Sequence, residues 1–411
     1  MYICIMTLKG IKRILFMFGV ACVAVLILSY KYISTEDLQG TSLFVQTKNL
    51  PQLMMDGQGS LEKFKERQAH LLENCHPNTN FEKNPKFEYV KKRFLLYDSK
   101  SNFVFCMVQK IGCTFWRRLF HSLKYKDISD VYTINPEKVH TENLPTLGHL
   151  NITEASRVLR SANTAMFVRD PYERIFSAYL DKLYNINRHY MEHLGRDIVK
   201  SRKKPTTLSL RCGHDVSFSE LIRYLVEQKR KSQEVDEHFS PIHTHCLPCQ
   251  IKYNFTGKME SFDEDVSEIM TKTGIFQNVS GLMSRKSSIS KEINSSIYNS
   301  ILDAYNTRKS MSQCMTMNEM YGRVWTILQL RGFLNPDLPM PDSPHLTVDM
   351  VYREAIKNSD PSRVSEYKHR GLVKMYKTVD RQLLLQFREY VLLDCQLFGY
   401  NDRPPYIFSD G

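Results

Sequence analysis

The chain has no internal repeat and no low-complexity tract, which excludes solenoid, fibrous and wholly disordered architectures. It has no Gly-x-x-x-x-Gly-Lys-Ser/Thr loop, no kinase-type Asp-Phe-Gly triplet and no dedicated magnesium site, so nothing points to nucleoside triphosphate hydrolysis. A second cysteine pair to match Cys246-x-x-Cys249 at zinc-ligand spacing is also missing, although His243 and His245 stand close by.

What is present is a basic, globular composition. The 411 residues carry 56 Lys and Arg against 44 Asp and Glu, a net charge of +12. That balance implies an anionic partner: nucleic acid, membrane surface, nucleotide or acidic polysaccharide. The N-terminus narrows the choice. Residues 14–30 form an uncharged apolar run that Tyr32 and Ile33 extend past Lys31, near the lower length limit for a bilayer span. Lys9, Lys12 and Arg13 precede it, which places residues 1–13 on the cytoplasmic side. A cleaved signal peptide is the other reading; no small-x-small cleavage site follows, which favours an uncleaved type II anchor. Asn-x-Ser/Thr sequons at Asn151, Asn254, Asn278 and Asn294 suit a secretory compartment. Eight of the ten cysteines follow the anchor (Cys75, Cys106, Cys113, Cys212, Cys246, Cys249, Cys314, Cys395), and an oxidising lumen would pair some of them. Nucleic acid is an improbable partner for such a chain and is set aside.

The organisation expected is a cytoplasmic tail (1–13), a transmembrane signal-anchor (14–33), a stem (34–90) and one lumenal domain (91–411). Within the stem, 61–72 suits a helix with Leu61, Phe64, Gln68 and Leu72 along one side. Beyond it the pattern alternates: strand 103–108, helix 115–124, helix 153–161, strand 164–168, helix 171–184, with further helices over 218–229 and 381–393. Alternation predicts an α/β fold with a central parallel sheet flanked by helices. The basic runs 91–93, 202–204 and 229–231 read as solvated surface, with a polysaccharide track as the alternative.

Two segments carry the chemistry. In each, a buried strand runs into a polar turn and then an amphipathic helix, and a helix N-terminus is an anion site. The first is Gln109, Lys110, Ile111, Gly112, Cys113, Thr114 and Phe115, where Gly112 permits close backbone approach, Thr114 suits an N-cap and Arg117 and Arg118 add charge. The second is Arg169, Asp170, Pro171, Tyr172, Glu173, Arg174, Ile175, Phe176 and Ser177. Here Asp170 is the N-cap, Pro171 is at N1 and Glu173 at N3, a capping-box pattern, and Arg169 and Ser177 can grip a phosphate. The plain alternative is an ordinary capped helix whose Arg169 pairs with Asp170 or Glu173.

Together these segments resemble the donor-binding motifs of the Golgi membrane-bound carbohydrate sulfotransferases, in the branch of the chondroitin and dermatan 4-O-sulfotransferases. Lys110, Cys113, Thr114, Trp116 and Arg118 match the first motif, and Val168, Arg169, Asp170, Pro171, Glu173, Arg174, Ser177 and Ala178 the second. Further likeness lies in 237–241, 246–249, 257–260 and 390–400. Gln109 stands where the family has Pro, and Phe115 where it has Asn.

The resemblance implies a P-loop-like sulfotransferase fold and 3′-phosphoadenylyl sulfate as co-substrate, with no metal. The first motif would take its 5′-phosphosulfate and the second its 3′-phosphate. The acceptor implied is a glycan or proteoglycan hydroxyl, such as a chondroitin, dermatan or N-glycan terminal sugar. A heparan-type or terminal-glucuronate sulfotransferase, or a catalytically silent glycan-binding relative, is the alternative. Lys110 would neutralise the bridging oxygen. The general base stays open between His238, His149 and Glu173. Cys246 and Cys249 read, by the same resemblance, as structural disulfides rather than zinc ligands.

Overall fold

The computed structural model describes residues 57–75, 81–125, 131–275, 285–343 and 345–409. The expected cytoplasmic tail and membrane anchor lie outside these residues. Among the described residues no helix is long and apolar enough to cross a membrane.

A four-stranded sheet is the centre of the fold: β1 (Leu95–Asp98), β2 (Phe103–Cys106), β3 (Asn163–Val168) and β4 (Phe255–Lys258), in that order across the sheet. Every side chain of β2 is buried, as is every side chain of β3 after Asn163, the mark of strands covered on both faces. β2, β3 and β4 are parallel, with Cys106 opposite Met166 and Val168 opposite Lys258. β1 departs from the all-parallel expectation: it runs antiparallel to β2. Only residues 99–102 separate the two strands, and so short a connection can make only a hairpin. Asp98 closes it by accepting from the Ser101 N–H (2.9 Å) and hydroxyl (2.5 Å).

The principal helices, in chain order, are α1 (Gly57–Glu73), α2 (Phe87–Arg93), α3 (Cys113–Tyr125), α4 (Pro136–Thr141), α5 (Ile152–Ser161), α6 (Pro171–Tyr179), α7 (Phe218–Arg230), α8 (Ile242–Cys246), α9 (Phe262–Thr273), α10 (Arg285–Met311), α11 (Met317–Leu330), α12 (Val348–Lys357), α13 (Val364–Tyr376) and α14 (Arg381–Phe398). One hydrophobic core lies around the sheet with α1, α3, α5 and α9. Trp116 of α3 is its centre: fully buried, with its ring stacked 3.8 Å from that of Phe105. A second core joins α6, α7, α13 and α14 through Tyr172, Phe218, Tyr376 and Phe387. A third joins α10, α11 and α12 around Trp325.

The stem expected over 34–90 is corrected over its C-terminal part. α1 belongs to the domain: Phe64 and Leu71 are buried in the sheet core, whereas Leu72 is exposed. Arg67 donates to Asp265 (2.6 Å) and to the Thr256 carbonyl (3.0 Å), and Lys63 pairs with Asp265. Asp265 is fully buried, so it needs both cations. Cys75 is bonded to Cys249, which ties the end of α1 to the segment before β4. The other bridges are Cys106–Cys246 and Cys212–Cys314. Cys246 and Cys249 are thus both in disulfides, each to a distant partner; Cys113 and Cys395 are free thiols.

Candidate active site

The parallel pairing of β2, β3 and β4 brings three strand ends to one edge of the sheet, where α/β folds place their ligands. The turn after β2 is strained. Both Lys110 and Gly112 have φ of +67°. For a lysine that conformation costs on the order of 1–2 kcal/mol, so the surroundings must hold it. Gly112 is also required by packing, since a Cβ there would lie 2.9 Å from the Phe262 ring.

The second segment supplies the hold. Arg169 Nη1 donates to the Lys110 carbonyl (3.0 Å), and Arg174 Nε donates to the Gln109 carbonyl (3.0 Å). Arg174 also donates to the carbonyls of Ser240 (2.6 Å) and Glu237 (3.1 Å), so one buried guanidinium sets the turn after β2 against residues 237–240. Asp170 caps α6 by accepting from the N–H groups of Tyr172 (2.8 Å) and Glu173 (3.1 Å). The reciprocal half of the expected capping box is not made. The Asp170 N–H donates instead to Glu260 (3.3 Å), and Glu173 binds two cations, Arg169 (3.1 Å) and Lys368 (2.6 Å). Burial tends to raise the Glu173 pKa, but those cations carry it below the usual carboxylate range. Burial lifts Asp170 to about 6, against its capping N–H bonds.

Lys110 points to a carboxylate that the sequence reading did not single out. Its Nζ lies 3.0 Å from Asp181, which Lys182 (3.2 Å) and Arg331 (3.7 Å) also approach. Asp181 sits in a widened turn continuing α6, where the Asn185 N–H reaches the Leu180 carbonyl five residues back. Three cations around one carboxylate leave an excess of positive charge beside the strained turn. Burial pushes the Lys110 ammonium down from its ordinary value, against the pull of Asp181. Burial tends to raise the Asp181 pKa, but Lys110, Lys182 and Arg331 hold it well below the carboxylate range.

Two histidines face this group. His140, at the end of α4, lies with Nε2 3.0 Å from the Thr114 hydroxyl; burial, then the charge of Arg117, lowers it to about 4. His238 lies with Nδ1 2.7 Å from Asp236 Oδ1 and 3.0 Å from the Tyr190 hydroxyl, which donates to Asp236 Oδ2 (3.3 Å). A carboxylate accepting from Nδ1 puts the ring proton there and leaves Nε2 as the basic nitrogen. Burial lowers the His238 pKa, Asp236 opposes this, and Lys182 and Lys110 also depress it. Lys182 in turn lies over the Tyr190 ring at 5.1 Å. Lys110, Asp181, Lys182, Tyr190 and the Asp236–His238 pair form one continuous network.

His149 is placed elsewhere. It is exposed, its Nδ1 lies 2.5 Å from the Thr146 carbonyl, and it lines a separate cleft with Glu88, Lys91 and Asn151. Of the other expected residues, Ile111, Pro171, Tyr172, Ile175 and Phe176 turn into the cores, and the Tyr172 hydroxyl donates to the Asp402 carbonyl (2.7 Å). Ser177, one turn beyond Glu173, is half-buried near the C-terminal end of α6. Thr114 is inside α3 rather than its cap. Arg118 is buried with Nε on the Ile134 carbonyl (2.8 Å), and Arg117 donates to the carbonyls of Val139 (2.5 Å) and Glu142 (2.8 Å); both pin the loop carrying His140. Lys91, Arg93 and Arg202, read as solvated surface, bind the Leu150 carbonyl, Glu237 and the Asp215–Glu220 pair respectively.

Both departures from the expected motif have a local cause. Gln109 donates from Nε2 to Glu237 (2.9 Å), a bond proline cannot make. Glu237 is also held by Arg93 (2.8 Å) and Tyr89 (2.5 Å). Phe115 is buried, edge-on to Trp116 (5.4 Å) and Phe262 (5.3 Å).

Comparison with known proteins identifies the family of the chain. No solved structure matches the chain. It is 31% identical over 217 residues to carbohydrate sulfotransferase 11 of Rattus norvegicus, covering 51% of this chain and 61% of that one. It is 30% identical over 178 residues to carbohydrate sulfotransferase 14 of Homo sapiens (43% and 46%), and 30% over 217 residues to carbohydrate sulfotransferase 9 of Homo sapiens (52% and 48%). The matches thus span about half the length of these relatives. Residues 93–323 match the model of the sulfotransferase family, a stretch that holds both turns, Asp181 and the Asp236–His238 pair. The chain belongs to the sulfotransferase family, among relatives that are carbohydrate sulfotransferases.

Proposed function

We propose that this chain transfers a sulfuryl group from 3′-phosphoadenylyl sulfate to a hydroxyl of a glycan, working from the Golgi lumen behind an anchor at residues 14–33. The observation that carries this reading is the pair of adjacent parallel strand ends. One presents Lys110 on a strained turn; the other presents Arg169 just before a helix N-terminus, with Ser177 two turns into that helix. Two anion sites side by side suit a donor with a phosphosulfate at one end and a phosphate at the other.

In this reading Lys110 faces the bridging oxygen between sulfur and the 5′-phosphate. The acceptor hydroxyl attacks sulfur in line, its proton passes to His238 Nε2, and the bond from sulfur to the bridging oxygen breaks. Lys110 stabilises the charge left on that oxygen, and adenosine 3′,5′-bisphosphate departs. The protein contributes position and fixed charge, as in phosphoryl transfer. Asp236 holds the imidazole in the basic tautomer and stabilises the imidazolium that forms.

The test incubates the full-length chain with sulfur-labelled donor and desulfated chondroitin, dermatan, heparan and N-glycan acceptors. Label should pass to one of them. No transfer to any, together with no binding of adenosine 3′,5′-bisphosphate, overturns the reading.

A further inference from the structure

Lys368 lies on α13, beyond the stretch 93–323 that matches the family model, and 195 residues from the carboxylate it binds. Its Nζ is 2.6 Å from Glu173 Oε2. Arg169 Nη2 is 3.1 Å from that same oxygen. Without Lys368, Arg169 and Glu173 would be an i,i+4 pair of zero net charge, with little attraction for an anion. With Lys368 the trio carries one positive charge in excess.

The neighbouring acids are already engaged. Asp170 accepts from the first N–H groups of α6; Glu260 accepts from the Asp170 N–H and from the Tyr400 hydroxyl (3.0 Å), over whose ring Lys258 sits at 4.5 Å. Both cations are on Oε2 of Glu173. The side chains of Glu173 and Lys368 are both about a third exposed, so the trio opens to solvent beside Ser177 rather than closing as a buried structural pair.

We infer that Lys368 is a positioning residue of the donor site: by neutralising Glu173 it frees the charge of Arg169 for the 3′-phosphate of the donor. The inference rests on the reading of the second turn as the 3′-phosphate site. It adds that selectivity for a 3′-phosphorylated nucleotide is set from the C-terminal helices. Glu173 then holds both cations on one carboxylate oxygen when no anion is bound.

The experiment measures binding of adenosine 3′,5′-bisphosphate and of adenosine 5′-phosphate to the full-length chain and its Lys368 variants. The wild type should prefer the bisphosphate. Lys368→Ala should weaken the bisphosphate by about 10- to 100-fold, the range for losing one charge-assisted interaction, and leave the 5′-phosphate within about twofold. Lys368→Arg should restore most of the preference, and Lys368→Met provides a bulk-preserving variant if the alanine chain does not fold. Equal loss for both nucleotides, or an unchanged preference in Lys368→Ala, overturns the role of Lys368 alone. A wild type with no preference for the bisphosphate overturns the donor reading as well.

Discussion

Lys110 Nζ lies 3.0 Å from Asp181 Oδ2, and that contact joins the strained turn after β2 to the widened turn after α6. Their chain neighbours belong to different hydrophobic cores, Ile111 to the one around the sheet and Leu180 to the one around α6, α7 and α14. Arg331, at the end of α11, brings the third core to the same carboxylate at 3.7 Å. The site therefore lies where all three packed units meet, and its charge balance depends on each.

The first prediction follows from that balance. Lys110→Ala should lower kcat by about 100- to 1,000-fold, the cost of one electrostatic contact to developing charge. Its thermal midpoint should change little, because alanine keeps the left-handed backbone at that position and Asp181 keeps Lys182 and Arg331 as partners. Asp181→Asn should act differently. Burial already lowers the Lys110 pKa and Asp181 opposes it, so removing that carboxylate lowers the pKa further. In the proposed role Lys110 works protonated, so activity should fall as pH rises through its pKa. The basic limb of the pH profile should move to lower pH in Asp181→Asn. A limb that stays in place would show that another group sets it.

A second prediction concerns Arg174, whose buried guanidinium donates to three backbone carbonyls from two segments. Arg174→Met keeps much of the volume and leaves those acceptors unpaired. The loss should be roughly 3 kcal/mol or more by chemical denaturation, with donor affinity falling because Gln109 and Lys110 lose their hold. Arg174→Lys should recover little, since one ammonium cannot reach three fixed carbonyls.

Restoring the family residue at 115 is a third test. Phe115→Asn places an amide among Trp116, Tyr132 and Phe262, where the ring is buried. About 3 kcal/mol or more of stability should be lost, from the cavity and from burying the amide. If Phe115 only fills this aromatic cluster, donor KM in the folded fraction should stay near the wild-type value. A large fall in KM would mean that the phenyl ring has displaced a donor contact.

These residues show what the sequence made legible. Strand, turn and capped helix are local signals, so β2, β3, Lys110, Gly112, Arg169 and the Asp170 cap could be read directly. The antiparallel β1 could have been inferred from the short 99–102 connection, but its polar flank hid the strand. α1 was placed in a stem because its apolar positions are few; only the fold reveals that Arg67 and Lys63 are needed by buried Asp265. Asp181 was within reach, since it is one helical turn past Ser177 on a helix already assigned. Arg331 and Lys368 were not, because a cation far along the chain carries no local mark of the carboxylate it will meet. Arg117 and Arg118 show the converse: charge beside a motif can be spent on backbone carbonyls.

The last prediction separates the two histidines proposed for proton transfer. His238→Gln should lower kcat by about 100- to 10,000-fold, the range for general-base catalysis, while His149→Gln should change it little. Their surroundings give the reason: His238 is fixed by Asp236 within the Lys110 network, and His149 lines a separate cleft. The base works unprotonated, so activity rises as pH rises through its pKa. Burial sets that pKa below the ordinary 6.5, and the acid limb of kcat/KM should therefore lie below 6.5. Asp236 raises the His238 pKa, so Asp236→Asn should push the acid limb lower still. It should also reduce kcat at neutral pH, because the amide no longer selects the tautomer with a free Nε2. An acid limb that is the same in wild type and Asp236→Asn, with activity retained in His238→Gln, would move the base elsewhere. His140, lowered to about 4 and 3.0 Å from Thr114, is then the imidazole to replace next.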